Sequence, residues 1–216
     1  MTQANRPSLP VVLPFNPLDK RNLASSVAEA MLSSPARPME NLAPFFGAGI
    51  YAIYYCGKFR PYQLLAQKNS NNADPKLPVY VGKAIPAGGR KGGAFADPAP
   101  SKALFNRLKE HSDSIESAHS TLKIQDFVCR YLVVDDIWIP LGESLMIAKF
   151  SPLWNSLLDG FGNHDPGRGR HQGLRPRWDV VHPGRHWAMN CQERGEALAD
   201  ILRDVENYLA NIVIAE

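Results

Sequence analysis

The chain has 216 residues, 44% of them hydrophobic and 21% charged, and carries a formal net charge of +3. It is long enough to bury a sizeable core in one elaborated domain. Its apolar runs fall short of the roughly 18 residues of a membrane span, and MTQANRPSLPVVLPFNP at the start lacks the basic and apolar regions of a secretory signal, so a cytoplasmic protein is expected.

Up to about Pro38 the chain is punctuated by proline, and its one periodic segment, Leu18 to Leu32, sets Leu23, Val27, Ala30 and Met31 at helical spacing. That predicts a packing helix in an N-terminal arm. Gly49 to Tyr55 is dense in β-branched and aromatic residues and bounded by glycine, a strand signal. Pro61 to Gln67 reads as helical, Asn69 to Pro75 as a polar loop, and Leu77 to Gly82 (LPVYVG) as a second strand pairing antiparallel with the first. Ser101 to His111 reads as a helix with Leu104 and Leu108 on one stripe, and with Arg107 and His111 one turn apart on one face. Phe127 to Val134 is apolar on both alternations and predicts a strand buried on both sides. A helix from Leu141 to Phe150 follows, carrying Glu143 near its N-terminal end. The last element is an amphipathic helix, Gln192 to Ile212, whose stripe of Leu198, Ile201, Leu202, Val205 and Leu209 is core packing or a dimer contact and not a cofactor site.

The modest net charge is unevenly spread. From Lys83 to Lys102 there are Lys83, Arg90, Lys91 and Lys102 against Asp97. From His164 to Trp187 there are Arg168, Arg170, Arg175, Arg177 and Arg185 against Asp165 and Asp179. Each stretch is +3, so the remainder is net acidic, and two basic glycine-rich loops on such a body suit a protein that grips phosphates. Cys56, Cys129 and Cys191 are odd in number, widely spaced and outside any CxxC or Cys/His pattern, which favours reduced packing thiols.

The order of Gly49-Ile50-Tyr51 on one strand, Tyr80-Val81-Gly82 on the next, Arg107 and His111 on a helix, Glu143 on a second helix and then Asn155 resembles the GIY-YIG nuclease family. The longer strings GAGIYAIYYCG, LPVYVGKAIPAGGR, SPLWNSLLDGFGNH and WDVVHPGRHWA are similar to the small type II restriction endonucleases within it. The match spans about Phe46 to Phe161. Valine replaces isoleucine in the second motif, a volume-conserving change, while the connection between the motifs and the basic loop after Lys83 are both expanded. The implied fold is α+β: a small, mainly antiparallel sheet flanked by helices, with an N-terminal helical arm (1–45), the GIY-YIG module (46–161) and a C-terminal DNA-binding extension ending in a helix (162–216), all in one compact unit.

The resemblance also implies a chemistry. Phosphodiester hydrolysis needs a deprotonated water, a neutralised phosphate and a stabilised leaving oxygen. Glu143 is the expected single carboxylate for a divalent ion, Mg²⁺ or Mn²⁺, and Arg107 the fork that holds the scissile phosphate. Tyr51 is the implied general base. An unperturbed phenol titrates near ~10, so Lys83 and the metal are expected to lower that value, with His111 accepting or relaying the phenolic proton. Tyr80 is expected to orient Tyr51 and the water or phosphate, and Asn155 to support the site. Arg90, Lys91, Arg168, Arg170, Arg175, Arg177 and Arg185 are the expected DNA contacts, either reading guanine edges or clamping phosphates. The implied activity is Mg²⁺-dependent cutting of double-stranded DNA at a GC-rich palindrome, CCGCGG being one candidate, by a two-fold homodimer. Alternatives are a structure-specific repair or homing nuclease, and a catalytically silent nucleic-acid-binding protein.

Overall fold

The computed structural model describes residues 16, 18–70, 74–86, 101–165, 167 and 172–214. Four strands, Arg37–Pro38 (β1), Gly49–Tyr55 (β2), Tyr80–Ala84 (β3) and Phe127–Val133 (β4), form an antiparallel sheet in the order β1-β4-β2-β3. All seven residues of β2 are buried, as expected for an inner strand of β-branched and aromatic residues covered on both faces. Tyr51 lies opposite Gly82 on one side and Tyr131 on the other. Gly49, the first residue of its motif, has φ 153° and a Cβ there would run into the Leu132 carbonyl, so only glycine brings β2 and β4 together at this point.

Helices cover the two faces. Ala103–Ser117 (α3) turns Leu104, Leu108, His111, Ser112 and Ile115 inward beside β2 and β3. Ile139–Phe150 (α4) lies against the alternate face, where its Gly142 approaches the Ile50 side chain, and is covered in turn by Lys20–Ser33 (α1). Asp19 caps α1 by accepting from the Arg21 N–H at 2.8 Å. Gln63–Ser70 (α2) follows a 3₁₀ turn at Arg60–Tyr62, and both pack on the long helix Leu198–Ile214 (α8), which buries Ile201, Val205 and Leu209. Three short helices, Leu153–Ser156 (α5), Arg177–Val181 (α6) and His186–Met189 (α7), and 3₁₀ turns at Ile124–Asp126 and Asp136–Trp138 complete the described elements.

The sheet and the main helices fall where periodicity placed them, and the differences have local causes. The strand expected from Leu77 starts at Tyr80, because Pro78 has no N–H to donate and Asn69 takes both the N–H and the carbonyl of Leu77. The C-terminal helix expected from Gln192 starts at Leu198, because Gln192 pairs with the segment around Leu174. The proline-punctuated arm also contributes β1, a two-residue pairing with β4. That strand is too short to leave a periodic signal.

Candidate active site

Tyr51 projects from the face of the sheet covered by α3. Its hydroxyl crosses β3 at Gly82, where a Cβ would overlap the phenol, so the glycine of the second motif is the gap through which Tyr51 reaches the sheet edge. There the phenolic oxygen meets His111 Nε2 at 2.6 Å. Burial holds the Tyr51 pKa well above 10.0, helped by Tyr80 and Glu143 and opposed by Arg107. Burial, with Arg107, Arg185 and His164 nearby, pushes His111 well below 6.5. Both groups are therefore neutral at neutral pH, and in the tautomer protonated on Nδ1 the phenol donates to Nε2. Tyr80 shares the pocket, 6.2 Å from Tyr51 and 5.2 Å from His111 between ring centroids. Burial raises its pKa too, against the pull of Arg107.

On the alternate face of β3, Lys83 Nζ donates to Glu143 Oε2 at 2.5 Å. The expectation that Lys83 acidifies Tyr51 is corrected here: strand alternation sends the ammonium to the other side of the sheet, onto Glu143, and desolvation dominates the phenol. Glu143 still lies close enough to the sheet edge to act on both Tyr51 and Tyr80. The outer edge of β3 is closed by Asn155, which accepts from the Val81 N–H and donates to the Val81 carbonyl, both at 2.8 Å. A side-chain amide in this position satisfies an edge strand at both polar groups and holds the tyrosine motif in place.

Arg107, one turn before His111 on α3, completes the cluster. Its NH1 donates to Glu110 Oε2 and lies 2.7 Å from His164 Nε2, and its NH2 donates to the Gly162 carbonyl at 2.5 Å. Sequence reasoning missed Glu110, Phe161, Gly162 and His164. Glu110 was readable as one turn along the same helix face, whereas the other three arrive from 55 residues away with no periodic mark.

The expected DNA contacts divide. Arg90, Lys91, Arg168 and Arg170 lie outside the described residues. Arg175 is half-buried and donates to the Ala188 carbonyl at 3.1 Å. Arg177 faces Glu196 and Asp204, which hold it within the C-terminal segment. Arg185 is corrected outright as a reader of bases: it is 6% exposed and paired with the buried Asp179. A surface cavity of about 700 Å³ lined by Ser25, Glu29, Lys76, Arg130 and Lys149 shares no residue with this cluster, and Arg130 is already engaged by Asp74 and the Ser34 and Pro75 carbonyls.

Among the described residues no group of three or more His, Cys, Asp or Glu could hold a metal. The fit at this site is instead that of one hard oxygen donor already turned toward a cation, the Lys83 ammonium on Glu143. Such a donor suits an ion that keeps several waters and takes phosphate oxygens from its substrate.

An antiparallel sheet with Gly-Ile-Tyr on its inner strand and Tyr-Val-Gly on its edge, an arginine and a histidine on the next helix and a glutamate on the one after, is the plan of a GIY-YIG nuclease. The family model of the Eco29kI GIY-YIG domain, a type II restriction endonuclease family, matches residues 43–209, and the chain belongs to that family. The match continues well past Phe161, through the C-terminal segment. No curated protein matches the chain. No helix among the described residues is long and apolar enough to cross a membrane.

Proposed function

We propose that the protein is a type II restriction endonuclease, a homodimer that hydrolyses both strands of a GC-rich palindrome in double-stranded DNA with Mg²⁺ or Mn²⁺. The observation that carries this reading is the Tyr51–His111 hydrogen bond, buried yet opening onto a sheet edge where Arg107 and Glu143 gather. Family membership supports the substrate class.

The neutral pair suggests a relay. As water attacks phosphorus, its proton passes to the Tyr51 oxygen while the phenolic proton passes to His111 Nε2, so no free tyrosinate forms, and the negative charge gathering on the phosphate offsets the imidazolium that burial disfavours. The new P–O bond forms as the bond to the 3′ oxygen breaks. Arg107 holds the non-bridging oxygens as charge develops on them. Glu143 would hold the divalent ion, which would supply Lewis-acid neutralisation of the phosphate and the leaving oxygen. Tyr80 orients the Tyr51 phenol, and Asn155 keeps β3 at its place. Tyr51 is 0% exposed, so phosphate and water reach it only when partly exposed side chains above it reorient. Arg107 then exchanges Glu110 for phosphate oxygens, and Lys83 leaves Glu143 for the DNA backbone. Because a palindrome presents two equivalent scissile bonds, a two-fold dimer is the economical assembly.

Incubating the purified protein with mixed plasmid DNA and Mg²⁺ tests the reading. Discrete bands support it, a smear or a preference for junctions favours a structure-specific nuclease, and retarded intact DNA favours a silent binding protein. Light scattering of the protein with and without a cleaved oligonucleotide duplex tests the dimer.

A further inference from the structure

The sequence offers Arg185 as a DNA contact, reading guanine edges or clamping phosphates, and its environment assigns it another task. All five of its N–H donors are placed. Nε donates to Asp179 Oδ1 at 2.7 Å and NH2 to Asp179 Oδ2 at 2.5 Å. NH1 donates to the Phe161 and Asn163 carbonyls at 3.1 and 3.3 Å, and NH2 to the Gly160 carbonyl at 2.9 Å. The guanidinium lies 4.6 and 4.7 Å from the Trp178 and Trp187 ring centroids. A buried ion pair of this kind is weak evidence for added stability, since desolvation offsets much of the attraction. What it specifies is geometry: a planar fork satisfied at every donor holds three carbonyls of one turn in fixed positions.

That turn touches the proposed catalytic groups on its other side. The Gly162 carbonyl accepts from Arg107 NH2 at 2.5 Å, and His164 Nε2 lies 2.7 Å from Arg107 NH1. The Phe161 ring stacks on His111 at 4.5 Å and 18° and meets Tyr80 edge-on at 4.9 Å. A Cβ on Gly162 would sit 2.5 Å from the Tyr80 hydroxyl. One short segment therefore fixes the guanidinium, the imidazole and the second phenol together.

We propose that Arg185 is a positioning residue: it pins the turn 160–164, and the pinned turn, with His164 as its exposed arm, aims Arg107 and seats His111 and Tyr80. The assignment rests on the nuclease reading above. It also gives the C-terminal segment a part in the chemical step that does not depend on touching DNA through Arg185.

The test separates rate from affinity, using supercoiled plasmid as the probe. Single-turnover cleavage is measured in Mg²⁺ with enzyme in excess, plasmid affinity by gel retardation with Ca²⁺ in its place, and the folded fraction by thermal melting. Lysine lacks the fork, so Arg185→Lys should lower the rate per folded molecule by about 100-fold, the scale of a misplaced reacting group, with affinity within about threefold. His164→Ala, on a side chain 67% exposed, should keep the fold and lower the rate by about 10-fold at similar affinity. Wild-type rates in these variants, or affinity losses that match the rate losses, overturn the proposal. If Arg185→Lys does not fold, His164→Ala decides alone on the same criteria. A wild-type protein that leaves plasmid intact overturns the nuclease reading and this role with it. A wild type that cuts, beside an Arg185→Lys that cuts equally fast, overturns the positioning role only.

Discussion

Two buried tyrosine–imidazole pairs of nearly the same geometry lie in this molecule, Tyr51–His111 at 2.6 Å and Tyr62–His182 at 2.5 Å. Around the second pair the polar groups close on themselves. The Tyr62 oxygen also accepts from Trp154 Nε1 at 3.0 Å, and Thr121 Oγ1 lies 2.8 Å from His182 Nδ1. Phe59, Trp154 and Trp178 surround it, and burial alone lowers the His182 pKa to about 3. The first pair is also buried, but Arg107 and Glu143 act on it from the sheet edge. A hydrogen-bonded phenol and imidazole are thus a packing device by default, and charged neighbours convert the arrangement into one suited to proton transfer.

The largest expected effect comes from removing such a neighbour. Glu143→Gln should abolish cleavage, by about 1000-fold or more on the scale of groups that stabilise developing charge, while plasmid retardation and the melting temperature stay near wild type; unchanged cleavage removes Glu143 as the proposed metal ligand. Exchanging the two imidazoles sharpens the contrast. His111→Asn should lower the single-turnover rate by about 100-fold, the scale of one proton-transfer group. His182→Asn should leave the rate within a few-fold and instead cost about 2 kcal/mol in urea unfolding, as a buried network loses a partner. Equal rate losses in the two variants would erase the distinction between the pairs.

A pH effect is shared by both pairs. Each imidazole has its folded pKa depressed from 6.5. The unfolded chain therefore binds protons that the native state refuses, and the contribution is complete above about 6.5 and lost as pH falls. For His182 the loss continues down to about 3, at a slope of about 1.4 kcal/mol per pH unit per group. Melting temperatures at pH 7.5, 6 and 5 should fall in that order, less steeply in His182→Asn. A protein that gains stability on acidification would contradict the neutral assignment of both imidazoles.

The contrast between the pairs was only half readable in the chain. Tyr51, Tyr80, Arg107, His111 and Glu143 could be singled out because each sits on an element with a strong period, in an order shared with a known family. Asn155 could be named but not explained, since its purpose depends on β3 being an exposed edge. The part expected of Lys83 at Tyr51 does not hold, because the ammonium pairs with Glu143 and a phenol on an inner strand is governed by burial, which local charge counting ignores. Arg185 was misjudged for a related reason: an arginine among glycines and histidines reads as surface until Trp178, Trp187 and Asp179 are seen folded around it. Segment 160–164 ends one of the family-like strings but carries no readable role there, because its value lies in long-range contacts.

Removing one oxygen from each pair is the most direct test of the central claim. Tyr51→Phe and Tyr62→Phe each delete a buried hydroxyl hydrogen-bonded to an imidazole, and Tyr62→Phe also takes the acceptor from Trp154 Nε1. Single-turnover plasmid cleavage should fall by about 100-fold or more in Tyr51→Phe and stay within a few-fold of wild type in Tyr62→Phe. Near-normal cutting by Tyr51→Phe would contradict the account.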